Sequence, residues 1–205
     1  MGMKLLREVE EVRIDPEKVA KIKEENDGKL ILTCQLQKAN TVNANGRYYP
    51  KRLLEREMEK YHKIIKSRNA MGELDHPDSA NISLQKVSHV ITEAEWEGDA
   101  IMGKIELLNT PFGKIASSLV EQGVLIGVSS RAVGSTKRNN NGYDEVLEDL
   151  QLICWDIISN PSTPGSWIMT ESIDIDEQTT SALKSYNKAY EYVKAQRDRM
   201  SKYGI

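Results

Sequence analysis

The stretch KVSHVITEAEWEGDAIMGKIELL, residues 86–108, decides the fold class. It contains two strand-like runs joined around Glu97-Gly98-Asp99, and a short turn with glycine between such runs predicts an antiparallel hairpin. Further strand-like runs occupy residues 29–39, 124–134 and 146–159, the last as one long strand. Alternating βαβ units with a Gly-rich phosphate loop are absent from the sequence. We therefore predict an α+β domain with a mainly antiparallel, β-barrel-like sheet flanked by helices.

Two helices are predicted around this sheet. The first begins near Pro50, and its apolar residues recur at helical spacing: Leu54, Met58, Tyr61 and Ile65. The second has Thr110 as N-cap, Pro111 in its first turn and Gly123 as its stop. Its core-facing side is predicted to carry Phe112, Ile115 and Leu119.

The two ends of the chain differ in composition from the centre. Residues 1–28 form a charged arm, weakly helical or solvated, and residues 29–174 form the main domain. Residues 175–205 have apolar side chains at helical spacing, which predicts an amphipathic C-terminal helix. Those side chains belong to Leu183, Tyr186, Tyr190, Val193 and Met200.

Composition excludes several functional classes. The chain has 205 residues, a net charge of −3 and a pI near 5.8, with no basic block of the kind that binds nucleic acid. It contains no signal peptide and no apolar run of about 20 residues that would span a membrane. Cys34 and Cys154 both lie in apolar runs, so we expect free thiols in a reducing compartment rather than a disulfide framework.

The three histidines are unequal candidates for chemistry. His62 lies in a charged helical segment and predicts a solvated face, whereas His89 lies in a strand and predicts a local partner. His76 lies in GELDHPD, residues 72–78, among three carboxylates that belong to Glu73, Asp75 and Asp78. A metal-dependent hydrolase is one alternative for this cluster. However, neither a second histidine at helical spacing nor a cysteine pair is present, so we predict no metal and no cofactor.

A serine nucleophile is the other interpretation. A serine hydroxyl needs a base, and the histidine base needs an orienting group. His76 could be the base. Asp156 is the one charged member of the alternating row Leu150, Leu152, Cys154, Asp156 and Ile158, and a buried carboxylate requires a partner. That partner could be a histidine, or instead an arginine or a backbone amide.

The segment GVSSRAVG, residues 127–134, offers two serines. Ser130 shares its alternating row with Ile126 and Val128, which indicates the core side. Ser129 shares its row with Gly127 and Arg131, so the pattern slightly favours Ser129 as nucleophile. Arg131 could support a developing oxyanion or bind an acidic substrate residue.

Several motifs together resemble one family. GELDHP, LNTPFGKI, GVSSRAVG and LICWDIISNPSTPGSW, with NANGRYYPKRLLE upstream, resemble the prohead maturation proteases of tailed bacteriophages, in the contractile-tailed branch. The resemblance spans roughly residues 40–170. It implies a serine protease with a fold related to herpesvirus assemblins. It also implies that His76 is the general base, Ser129 the nucleophile and Asp156 the third member of the triad.

The same resemblance implies a place of action and a specificity. The enzyme would act inside the procapsid in the host cytoplasm, on scaffold or core proteins, the major capsid protein and itself, cleaving after Glu in Leu/Ile-x-Glu. Such triplets flank the domain at Leu6-Arg7-Glu8 and Ile175-Asp176-Glu177. The N-terminal arm would be a propeptide, a scaffold-binding segment or a tail, and self-cleavage after Glu177 would remove the C-terminal helix. The chain could also self-associate. A non-enzymatic assembly or scaffold protein is the remaining alternative.

Overall fold

A computed structural model of the chain describes residues 16–77, 79–159 and 168–169. These residues form three helices and ten strands. The helices are α1 (Pro16–Glu25), α2 (Lys51–Lys66) and α3 (Pro111–Glu121). The strands are β1 (Ile31–Lys38), β2 (Arg47–Tyr48), β3 (Met71–Glu73), β4 (Val87–Glu97), β5 (Ala100–Leu107), β6 (Gly127–Val133), β7 (Thr136–Arg138), β8 (Asp144–Val146), β9 (Gln151–Ile158) and β10 (Ile168–Met169).

The largest sheet is antiparallel throughout, with strand order β10-β1-β5-β4-β3. The predicted hairpin forms its centre. Glu97 pairs with Ala100, so Gly98 and Asp99 make a two-residue turn, and Gly98 has a φ of 60°. A two-residue hairpin turn requires a positive φ at its first central position, which glycine adopts without a steric penalty.

Two smaller sheets complete the domain. One has the order β2-β8-β7, and the other pairs β6 with β9 in antiparallel register. A parallel bridge between Leu74 and Ile157 connects the end of β3 to β9, while β6 contacts β1 without pairing with it. The predicted α+β class with mainly antiparallel strands is therefore confirmed. Within the described residues, the strands form three sheets and do not close into a barrel.

The prediction of one long strand over residues 146–159 is wrong. The chain turns after β8, which ends at Val146, and β9 begins only at Gln151. The Asp149 carboxylate accepts hydrogen bonds from the Ser135 amide at 2.9 Å and from the Ser135 hydroxyl at 2.6 Å. The Leu150 amide donates to the Leu147 carbonyl at 3.2 Å. These local bonds replace ladder pairing, as aspartate and serine side chains often do at turns.

Helix α2 packs against β9, the strand that carries Asp156. It begins after Pro50, as predicted, and buries Leu53, Leu54, Glu57, Met58 and Tyr61. The Tyr61 and Trp155 rings meet edge-to-face, with centroids 4.7 Å apart. The Glu57 carboxylate accepts a hydrogen bond from the Leu152 amide at 3.1 Å. Packing and this bond together fix the position of β9 against α2.

Helix α3 begins as predicted, and Leu119 packs against the core, but the most buried side of the helix is not the predicted one. The Thr110 hydroxyl accepts a hydrogen bond from the Gly113 amide at 3.1 Å and so caps the helix. The buried residues are Gly113, Ala116 and Val120, whereas Ile115 is 49% exposed. A Cβ at Gly113 would lie 2.0 Å from the Leu108 carbonyl oxygen. The helix therefore approaches the backbone closely through small residues, which an apolar periodicity does not reveal.

The charged N-terminal arm is helical over residues 16–25. Val19 is 3% exposed within the core, and the Lys23 ammonium lies 2.5 Å from the Glu121 carboxylate of α3. The triplets ending at Glu8 and Glu177, and the predicted C-terminal helix over 175–205, lie outside the described residues. Among the helices that are described, none combines the length and apolar character needed to cross a membrane.

Candidate active site

Strands β6 and β9 bring the serine segment to the aspartate. Ser129 pairs directly with Asp156, and Arg131 pairs with Cys154. Side chains of directly paired residues in antiparallel strands point to the same side of the sheet. Ser129, Arg131, Cys154 and Asp156 therefore share one face. Ser130 pairs with Trp155, on the alternate row of these strands.

His76 reaches this face from the segment that follows β3. The preceding Asp75 has a φ of 65°, and its amide donates to the Ile157 carbonyl at 2.8 Å, which fixes the chain beside β9. The His76 Nδ1 donates to Asp156 Oδ2 at 2.8 Å. This bond places the imidazole proton on Nδ1 and leaves the Nε2 lone pair available to accept a proton.

The Asp156 carboxylate is fully buried and has several partners. Its Oδ1 accepts hydrogen bonds from the Glu73 amide at 2.9 Å and from Arg131 Nη2 at 3.1 Å. Burial acts to raise the pKa of Asp156. The hydrogen bonds from His76 and Glu73 and the Arg131 charge outweigh burial, so the pKa lies below its usual value. The histidine, arginine and backbone-amide partners, which the sequence left as alternatives, are all present together.

The Arg131 guanidinium binds Asp156. From the sequence, Arg131 was instead a candidate to support an oxyanion or to bind an acidic substrate residue. Its Nε lies 2.9 Å from Asp156 Oδ2, an ion pair outside hydrogen-bond geometry, and its Nη1 donates to the Ser79 carbonyl at 2.8 Å. The side chain is only 8% exposed. The Glu73 carboxylate lies 3.7 Å from Arg131 Nη2, so the guanidinium lies between two buried carboxylates.

Removing the Arg131 charge should destabilise the fold. Arg131→Met leaves the Asp156 and Glu73 carboxylates buried without their cation, and breaking a buried pair in this way costs about 3–5 kcal/mol. We expect urea denaturation to report this loss. Arg138→Met is the matched control, because its ion pair with Asp144 is exposed and contributes less than about 1 kcal/mol. Equal stability of the two variants would contradict the prediction.

Cys154 lies beside Asp156 but does not offer a second nucleophile. Its Sγ is 3.4 Å from Asp156 Oδ1 and 3.2 Å from Arg131 Nη2. Burial, followed by the Asp156 charge, raises the pKa of the thiol to about 12 even though Arg131 lowers it. The thiol therefore stays protonated near neutral pH, and a protonated thiol is a poor nucleophile.

The carboxylates around His76 do not assemble into a metal centre in the part of the chain described. No three His, Cys, Asp or Glu side chains in that part lie close enough together to hold an ion. The Glu73 carboxylate is fully buried and accepts a hydrogen bond from the Ser83 amide, so it supports the segment after β3. Asp78, the remaining carboxylate of the metal alternative, lies outside the described residues.

The other two histidines have structural partners. His89 Nε2 donates to the Trp155 carbonyl at 3.0 Å, so Nδ1 accepts from the Ser88 hydroxyl at 2.9 Å. A Cβ at Gly72 would lie 2.4 Å from the His89 ring, and glycine there allows this close packing of β3, β4 and β9. His62 was predicted to lie on a solvated face. Instead it is half-buried, and its Nε2 bonds the Ala94 carbonyl at 2.7 Å.

His89 should make stability depend on pH. Burial lowers the pKa of His89 to about 4, whereas an unfolded histidine titrates near about 6.5. Between these values the unfolded chain binds more protons, so the free energy of unfolding falls as pH falls. From pH 7 to about pH 5 we expect a loss of about 2 kcal/mol, measured by urea denaturation. His89→Gln should flatten this dependence and His62→Gln should not; an unchanged slope in His89→Gln would refute the assignment.

A pocket of about 400 Å³ opens beside His76 and Ser129. Its lining includes His76, Ser129 and Ser130 from the β6–β9 region, together with Asn43, Arg47 and Tyr49. From its composition alone, NANGRYYP, residues 43–50, reads as a turn-rich connection rather than as part of a site. The available signal was an arginine and two tyrosines within a segment otherwise composed of turn residues.

Comparisons with known proteins agree on one family. The family described as prohead core protein serine protease matches residues 9–179. The prohead core protein protease of Enterobacteria phage T4 is 32% identical over 179 residues, covering 82% of this chain and 84% of that protein. The solved bacteriophage T4 capsid assembly protease is 30% identical with a TM-score of 0.62, covering 65% of this chain and 84% of that one. This chain therefore belongs to the prohead core protein serine protease family.

Proposed function

We propose that this protein is a serine endopeptidase in which Ser129 is the nucleophile, His76 the general base and Asp156 the orienting acid. One observation carries the proposal. The His76 ring is bonded to Asp156 through Nδ1 at 2.8 Å, and Asp156 pairs directly with Ser129 across β6 and β9. A base oriented by a buried carboxylate next to a hydroxyl is the arrangement that activates serine for attack.

The proposed reaction follows the usual order for acyl transfer. His76 Nε2 takes the Ser129 proton while Oγ attacks the scissile carbonyl, and the resulting imidazolium is stabilised by Asp156. His76 then gives the proton to the leaving amine, and water hydrolyses the acyl-enzyme by the same route. Asp156 can stay ionised throughout, because its partners hold its pKa low.

Backbone amides of β6 are the proposed donors to the oxyanion. Among the described residues, β6 pairs with β9 on one side only, so the amides on its other edge have no ladder partner. Fixed amides that point at the developing oxyanion lower the barrier, and their removal typically costs about 10²–10³ in kcat. With Arg131 bound to Asp156, the backbone is the better candidate for this role.

The proposed substrates are phage scaffold or core proteins, the major capsid protein and the protease itself. The T4 relatives are named a prohead core protein protease and a capsid assembly protease, and these names support this choice of substrates. They also support a location inside the procapsid, in the host cytoplasm. We also propose cleavage after Glu in Leu/Ile-x-Glu, so that a cut after Glu8 would release the start of the N-terminal arm as a propeptide and a cut after Glu177 would release the predicted C-terminal helix.

The folded domain itself would resist such cleavage. The triplets that begin at Ile22, Leu53 and Leu119 lie in α1, α2 and α3, and the triplet that begins at Ile91 lies in β4. A protease binds its substrate as an extended chain, so residues within helices and paired strands are poor substrates. The flanking triplets at Glu8 and Glu177 remain the proposed sites.

A fluorophosphonate probe tests the proposed mechanism. Such a probe phosphonylates a serine only when a base activates it, and tryptic mass spectrometry locates the modified residue. We expect modification of the peptide that contains Ser129 in the wild type and in Ser130→Ala, and none in Ser129→Ala or His76→Ala. Labelling that disappears only in Ser130→Ala would reassign the nucleophile. Unlabelled wild-type protein that carries out its assembly role would favour the non-enzymatic alternative.

A further inference from the structure

The pocket beside Ser129 contains a positive charge that no carboxylate among the described residues neutralises. Two arginines line this pocket, Arg47 and Arg131. Arg131 is paired with Asp156, as described above. Arg47 forms no ion pair with any carboxylate in the described parts of the chain. The nearby Asp144, which pairs with Arg47 between β2 and β8, is bonded instead to Arg138 at 3.4 Å.

Backbone contacts fix Arg47 in place. The Asn43 side-chain oxygen accepts a hydrogen bond from the Arg47 amide at 3.0 Å, and the Arg47 carbonyl accepts one from the Asn43 amide at 2.9 Å. Gly46, with a φ of 72°, makes the turn, and its carbonyl accepts from the Asp144 amide at 2.9 Å. The guanidinium therefore projects from a fixed backbone, which reduces the entropy lost when it binds a ligand.

Tyr49 supplies a second polar group on the same side of the pocket. Its phenol is half-buried, and burial raises its pKa, although the Arg47 charge and a hydrogen bond with Arg47 act in the opposite direction. The hydroxyl therefore keeps its proton near neutral pH. A protonated phenol next to a guanidinium offers two kinds of donor to one acceptor group.

We propose that Arg47, assisted by Tyr49, binds the carboxylate of the substrate residue next to the scissile bond. This inference rests on the proposed function, because it requires that peptide cleavage takes place at Ser129 in the same pocket. A carboxylate is the group that a guanidinium without a carboxylate partner binds most strongly, through charge-assisted and often bidentate hydrogen bonds. An amide of the same shape cannot supply the charge. Arg47 is therefore a specificity-determining residue.

The test compares two peptides in two forms of the full chain. One peptide has the sequence SIDIDEQTTSA, residues 172–182, and the other carries Glu177→Gln. In the wild type, kcat/KM should be higher for the glutamate peptide. Arg47→Gln should lower kcat/KM for that peptide about 10- to 100-fold and change the glutamine peptide little. Arg52→Gln, an exposed arginine of α2 that pairs with Glu148 and does not line the pocket, should preserve the preference, and Arg47→Lys should restore part of it.

Equal losses on both peptides in Arg47→Gln would overturn the proposal, because they would indicate a structural role. Binding to the Ser129→Ala variant, measured by fluorescence anisotropy with labelled peptides, separates the two hypotheses. If the wild type cleaves neither peptide but the glutamate preference in binding depends on Arg47, the proposed function fails and the recognition role stands. If binding shows no preference, or a preference that survives Arg47→Gln, the recognition role fails.

Discussion

Replacing Ser129 with alanine is expected to lower kcat/KM for a glutamate peptide by about 10⁶-fold, whereas Ser130→Ala should retain activity near the wild-type level. The two serines are adjacent in sequence, but the register separates them. Ser129 pairs with Asp156, and Ser130 pairs with Trp155, which is fully buried. Only the Ser129 hydroxyl shares a face with the carboxylate that orients His76.

Intact-mass spectrometry of each protein, together with peptide kinetics, measures this difference. Each variant changes one hydroxyl to a hydrogen, so the pair is matched in size and both variants should fold. Thermal unfolding of the variants confirms that the comparison concerns chemistry. A loss confined to Ser130→Ala would show that Ser129 is the wrong serine, and full activity in both variants would exclude a serine of this strand as nucleophile.

Asp156→Asn is expected to lower kcat/KM by about 10⁴-fold. The amide of Glu73 and Arg131 Nη2 both donate to Oδ1, so the carbonyl oxygen of the new side chain should occupy that position. Its NH₂ group then faces His76 Nδ1 and donates to it. The imidazole proton moves to Nε2, and the ring can no longer accept the Ser129 proton.

Two controls separate this tautomer effect from unfolding. Asp149→Asn changes an exposed carboxylate that bonds Ser135 and should leave kcat/KM unchanged. Urea denaturation of Asp156→Asn gives the fraction of folded enzyme, because the variant also removes a partner of Arg131. A folded Asp156→Asn protein with wild-type kcat/KM would show that Asp156 serves only as a structural counter-ion.

Features governed by neighbouring residues could be predicted from the sequence. The β4–β5 hairpin depends on a local turn with glycine, and the start of α3 depends on Thr110 with Pro111 behind it. Asp156 could be singled out as a buried charge within an apolar row. In each case a few adjacent residues contain the whole physical argument.

Features that depend on contacts between residues far apart along the chain could not be predicted from the sequence. Arg131 binds Asp156 and the Ser79 carbonyl, which are 25 and 52 positions away along the chain. The buried face of α3 is set by close approach to the Leu108 carbonyl rather than by its largest apolar residues. The contribution of Arg47 to the pocket could not be predicted either, because only the fold brings Arg47 into the same pocket as Ser129.

The order of the site residues along the chain has a consequence for when activity can begin. His76 follows β3, Ser129 lies in β6 and Asp156 lies in β9, the last of the three strands to leave the ribosome. Until β9 is made, His76 has no carboxylate to orient it and Arg131 has no Asp156 to hold. Under the proposed mechanism, a growing chain would lack its oriented base until β9 is made, and this restraint would follow from the order of the three residues along the chain.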